Sequence, residues 1–158
     1  MLYSKKEICF YKIKLSRQLK NEILKFYYKS DVEKASFLIM KKYNSKKFII
    51  EKFITLPEKA IEISNINYVK ISIKYIKFLF KNVIKEKKQL IIVHNHINRI
   101  DEYFSEKDFS LIEKYGEYFK SLGGEEIFGA LLLNNYRFRW MLYTKGKFIQ
   151  NIAIFEDV

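Results

Sequence analysis

Leu90-Ile-Ile-Val-His94-Asn-His96 is the stretch on which the reading of the chain turns. Four apolar residues follow the charged run Lys85-Glu-Lys-Lys88. A continuous apolar run this short fits a strand buried on both faces. It leads straight into His94 and His96, the only two histidines of the chain. Residues two apart on a strand project from the same face. Two imidazoles therefore point the same way from a rigid support, as a metal-binding pair requires. Imidazole suits zinc, and a catalytic zinc site needs a third ligand and an open position for water.

Downstream, Asn98 to Tyr103 reads as a polar loop. Ser105-Glu-Lys-Asp108 then opens a helix with Phe109, Ile112, Tyr115, Phe119 and Leu122 at helical spacing, stopped by Gly123-Gly124. Ser-x-x-Asp at a helix start is an ordinary cap pattern. It also puts Asp108 in the first helical turn, within reach of the strand end, where it can complete a His, His, Asp ligand set with Ser105 beside it. The cap and ligand roles are compatible. Taken alone, two histidines at a strand end also suit a hydrogen-bonded structural pair. The literal string His94-Asn95-His96 is not the nuclease motif of that spelling, which draws its residues from separated positions.

The flanks predict an α/β chain. Ile8 to Leu15 reads as a strand, and Ser16 as the cap of a helix carrying Leu19, Ile23, Leu24 and Tyr27. Ala35–Met40 and Phe48–Thr55 read as a hairpin closed by the polar tract Lys42 to Lys47. Ile71, Tyr75, Phe78, Leu79 and Val83 form the expected apolar stripe of a second helix. Ile127–Leu133, Arg137–Thr144 and Lys147–Phe155 read as three late strands, broken at Asn134-Asn135 and Lys145-Gly146. The expected fold class is a mostly antiparallel mixed sheet flanked by helices, in one domain over residues 1–158.

Length and composition agree with that domain count. Apolar residues make up 49% of the 158, and no apolar run approaches the ~20 that would span a bilayer. Lysines interrupt the first residues where a signal peptide would be apolar. The expectation is a soluble cytoplasmic protein with no membrane partner. The single cysteine, Cys9, cannot pair within the chain and reads as a small buried residue. The net charge of +12 comes mainly from lysine, since arginine occurs only at Arg17, Arg99, Arg137 and Arg139. Basic chains invite a nucleic-acid partner. Here the lysines are spread along the whole length, which favours a solvated surface.

Together, His94-x-His96, eight residues, then Ser105-x-x-Asp108 resembles the JAMM signature of JAB/MPN metallopeptidases. The family also carries a glutamate upstream, before the first hairpin strand. Asp31-Val-Glu33-Lys-Ala-Ser-Phe-Leu-Ile-Met40 is similar to that segment, and the element order matches over nearly all of the chain. The resemblance is closest to bacterial JAB domains encoded beside ubiquitin-activating-like and conjugating-like enzymes. In this sequence Ile97 stands where the family usually has proline, the gap to the serine is one residue longer, and Lys34-Ala35-Ser36 replaces a frequent glycine.

The resemblance implies a JAB/MPN-type, cytidine-deaminase-like α/β domain. It implies Zn2+ on His94, His96 and Asp108, with Glu33 as general base and Ser105 hydrogen-bonding the oxyanion. Glu51, Glu58 and Glu62 are weaker candidates for the base. The implied reaction is hydrolysis of a peptide or isopeptide bond at the C-terminus of a ubiquitin-like protein. Implied partners are that protein or its conjugates, with the activating and conjugating enzymes of the same system. Competing readings are removal of small groups from sulfur-carrier proteins, a non-catalytic MPN-like scaffold, and a basic nucleic-acid binder using Tyr136-Arg-Phe-Arg-Trp140.

Overall fold

A computed structural model describes residues 10–66, 68–97, 103–134 and 137–157. β1 (Tyr11–Ser16) runs into α1 (Arg17–Tyr27), which Ser16 caps: its Oγ accepts from Leu19 N at 3.2 Å. The hairpin β2 (Ala35–Asn44) and β3 (Lys47–Thr55) follows. A 3-10 turn at Glu58–Ala60 leads to a small ribbon of β4 (Ile61–Ser64) and β5 (Val69–Ile71), then α2 (Ile73–Lys85). β6 (Gln89–Asn95) and α3 (Glu106–Ser121) carry the histidine and Ser-x-x-Asp segments. The chain closes with β7 (Ile127–Asn134), β8 (Arg137–Thr144), β9 (Lys147–Ile149) and β10 (Ile152–Asp157).

Eight strands form one sheet in the order β10-β1-β3-β2-β6-β7-β8-β9, with β4 and β5 apart from it. Pairs β1·β10, β1·β3 and β6·β7 are parallel and the others antiparallel, so the sheet is mixed and mostly antiparallel. β9 and β10 lie at opposite ends of this order, yet only Gln150 and Asn151 separate them. Three Cα steps reach at most about 11 Å. The sheet must therefore curl until its two ends nearly meet.

Curling creates two cores. On one face α2 and α3 pack on β2, β6 and β7 around Phe80, whose ring meets Phe37, Tyr115, Phe119 and Phe128. The other face buries Ile13, Leu38, Phe48, Ile91, Leu131 and Leu142, drawn from both halves of the strand order, as the inside of a curl would be. α1 adds Ile23 and Tyr27 to it. The Tyr27 hydroxyl lies 2.6 Å from Ser36 Oγ and donates to Val93 O at 3.1 Å. Burial without water makes these bonds obligatory, and they tie α1 to both β2 and β6.

Three expectations change. Phe78 is 64% exposed, and the buried stripe of α2 is Ile76, Leu79, Phe80 and Val83. Apolar residues occupy so many positions here that helical spacing fits more than one stripe. Ile71 belongs to β5 rather than to the helix. The expected last strand splits at Gln150-Asn151, and its second half crosses to pair in parallel with β1. β4 and β5 were not expected. Ile8, Cys9, the loop residues 98–102, and Asn135 and Tyr136 lie outside the described residues. No helix among the described residues is long and apolar enough to cross a membrane.

Gly129 faces Ile91 across the β6·β7 ladder. A Cβ there would lie 2.6 Å from Ile91 Cγ1 and 3.2 Å from Leu142 Cδ2. Gly129→Ala is expected to destabilise the protein by about 1–3 kcal/mol, the usual range for overpacking a tight core. Urea denaturation measures it, and an unchanged midpoint would contradict this packing.

Candidate metal centre

β6 is paired on both edges: Ala35 lies opposite His94 on the β2 side, and Leu132 lies opposite His94 on the β7 side. His96 follows the last strand residue, and its N–H donates to Leu133 O at 3.1 Å, so the ladder extends to both histidines. Their rings stand 5.1 Å apart on the face that packs α3. His94 Nε2 is 3.1 Å from Asp108 Oδ1, and His96 Nε2 is 3.1 Å from Asp108 Oδ2.

Asp108 is fixed by its own helix. Ser105 N donates to Asp108 Oδ2 at 2.8 Å, and Ser105 Oγ accepts from Asp108 N at 3.2 Å, a reciprocal capping box. Burial disfavours the charged carboxylate. The contacts with His94 and His96 and the Ser105 N–H outweigh it and hold the Asp108 carboxyl well below the usual range.

The residues fit a divalent metal. One donor atom from each of His94, His96 and Asp108 lies within 4.8 Å of the others. Ligands ~2.0–2.2 Å from a tetrahedral zinc stand about 3.3 Å apart. His94 and His96 each approach a different oxygen of Asp108 at 3.1 Å, a separation of that order, so the carboxylate spans the two imidazoles. The His94 Nε2 contact is short yet not aligned as a hydrogen bond. Two imidazoles and one carboxylate are also a donor set that leaves a fourth position free in a catalytic zinc site.

Glu33 belongs to the same place. The β2·β6 ladder pairs Ala35 with His94, so two more steps put Glu33 across from His96. Its backbone is clamped: Glu33 N donates to Asn65 O at 2.7 Å, and Ser64 Oγ donates to Glu33 O at 2.7 Å. Asn95 Oδ1 accepts from Lys34 N at 2.6 Å, while its Nδ2 donates to Val32 O at 3.4 Å. Glu33 is buried, and with His94, His96, Ser105 and Asp108 it lines one cavity of about 360 Å³. All five sequence candidates thus meet in one place. Glu51, Glu58 and Glu62 do not line it; Glu51 instead pairs with Lys88 and Glu62 with Lys70.

Asn95, Ser64 and Asn65 were missed. Alternation gives the signal for Asn95: it faces away from both histidines, and a buried amide there must find partners. Ser64 and Asn65 lie at the turn of the unexpected β4-β5 ribbon. The strand considered as a nucleic-acid platform sets Phe138 and Trp140 against the second core, half-buried.

No family model matches the chain, and no curated protein matches its sequence. Among solved structures it is similar to the solution structure of protein DSY2949 from Desulfitobacterium hafniense, a target of the Northeast Structural Genomics Consortium. The TM-score is 0.56 at 13% identity, over 92% of this chain and 94% of that one. At that identity the likeness shows the fold alone: a mixed α/β chain with a large, mostly antiparallel sheet flanked by helices.

Elemental analysis of purified protein is expected to find about one divalent metal ion per chain, the stoichiometry of a three-ligand site, and none in His96→Ala or Asp108→Ala. Metal retained in both variants would place it elsewhere. Asn95→Ala is expected to leave metal binding unchanged while costing about 1–3 kcal/mol in chemical denaturation, since it orphans Lys34 N. No loss of stability would contradict the clamp.

Proposed function

We propose that this chain is a zinc-dependent amide hydrolase of JAB/MPN type, cleaving a peptide or isopeptide bond at the C-terminus of a ubiquitin-like protein. One observation carries the reading: a buried carboxylate outside the group His94, His96 and Asp108, that of Glu33, belongs to a residue lining the same cavity. Three protein ligands leave a position open for water but supply no base. A general base beside it is what hydrolysis adds.

When bound, zinc supplies a Lewis acid for the carbonyl and brings the pKa of a coordinated water to about 7. The Glu33 carboxylate takes the proton from the attacking water and hands it to the leaving amine. Ser105 serves twice. Its Oγ accepts from Asp108 N, which leaves its own hydroxyl proton to donate to the developing oxyanion. Among the described residues β5 pairs with β4 alone, while Val69, Lys70 and Ile71 line the cavity. An extended peptide can therefore lie along β5 and reach the metal ligands.

Glu33→Gln is expected to keep the zinc and lower cleavage of a panel of ubiquitin-like C-terminal fusions by about 10²-fold or more, the scale of a lost general base. Undiminished cleavage in Glu33→Gln would remove the proposed base. Zinc binding with no cleavage of any fusion by the wild type is the outcome a non-catalytic scaffold predicts.

A further inference from the structure

The cavity is larger than the chemistry at its floor requires. Its volume of about 360 Å³ lies within the range of small-molecule pockets. A reacting water and a glycine would leave most of that space unfilled. Beyond the ligands the walls are apolar: Val69 and Ile71 come from β5, Ile92 from β6, and Leu111, Ile112 and Tyr115 from α3. Leu111 on α3 is 37% exposed and Tyr68 beside β5 is 47% exposed, although both line the cavity. Exposed apolar groups at a cavity are a signature of binding. A cation accompanies them: Lys107 extends from the first turn of α3, next to Asp108. Lys70 alternates with Val69 and Ile71 on β5 and pairs instead with Glu62 at 3.5 Å.

We propose that this part of the cavity is a subsite for a substrate residue with a bulky aliphatic or aromatic side chain and a carboxylate. The side chain lies between β5 and α3, and the carboxylate meets Lys107. The inference rests on the hydrolase reading only for placing this residue beside the scissile amide. Apolar walls select the side chain by the area they remove from water, and a glycine gains nothing from them. Lys107 selects its charge.

Titration of the 15N-labelled protein tests this, with and without added zinc, using N-acetyl-L-leucine, N-acetylglycine and N-acetyl-L-leucinamide. N-acetyl-L-leucine is expected to bind about tenfold or more tightly than N-acetylglycine, a ratio within reach of burying a leucine side chain, and more tightly than the amide. Leu111→Asp, at a partly exposed position, should abolish the leucine-to-glycine ratio with zinc content unchanged. Lys107→Glu should abolish the acid-to-amide ratio alone. Equal affinities for leucine and glycine, no binding of N-acetyl-L-leucine, or ratios unchanged in both variants would overturn the subsite. Loss of zinc or of cleavage with the leucine preference intact would remove the hydrolase reading and leave the subsite standing. Zinc and cleavage without the preference would do the reverse.

Discussion

β6 is hydrogen-bonded along both edges and covered on both faces, and that confinement fixes where its side chains can point. Ile91 and Val93 go to the core with α1, Leu90 and Ile92 to the core with α2 and α3. His94 and His96 continue the second set. A slip of one residue against β2 or β7 would turn both imidazoles into the wrong core and bring Asn95 to the metal side. The slip would also bury the histidines among apolar groups, while Leu90–Val93 would merely exchange cores, so it is the polar end of the strand that a wrong register penalises. The candidate metal centre inherits its precision from this strand.

The surroundings of that strand solve an electrostatic problem. Glu33 and Asp108 are two carboxylates lining one mostly apolar cavity. Buried anions are costly unless paired or bound to a metal. Asp108 is stabilised by the Ser105 N–H, by the first turn of α3 and by the imidazoles. A divalent cation between the histidines and Asp108 would relieve the charge further and draw Glu33 into the same field. Asn95 on one side and Ser64 and Asn65 on the other hold the Glu33 backbone, so its position depends on β6 and on the β4-β5 ribbon together.

The candidate site was legible because its signals are local. Strand alternation alone places His94 and His96 on one face, and a capping pattern alone places Asp108 in a first turn. Glu33 needed the comparison of element order, since nothing in its own neighbours separates it from a surface charge. What stayed hidden depends on tertiary context. Ile61–Ser64 and Val69–Ile71 are too short to stand out as strands. Phe78 and Phe80 fit helical stripes equally well until the sheet chooses Phe80. The alternating tail from Lys147 to Phe155 gives no hint that Gln150-Asn151 divides it between the two ends of the strand order.

X-ray absorption at the zinc edge, on protein loaded with one equivalent, reads the centre itself. Two imidazole nitrogens and one carboxylate oxygen are expected at ~2.0–2.2 Å, with a single further light atom and no sulfur. A sulfur scatterer at ~2.3 Å would bring Cys9 into the shell, and a six-oxygen shell without imidazole would mean surface carboxylates. Either spectrum would contradict a centre built on His94, His96 and Asp108.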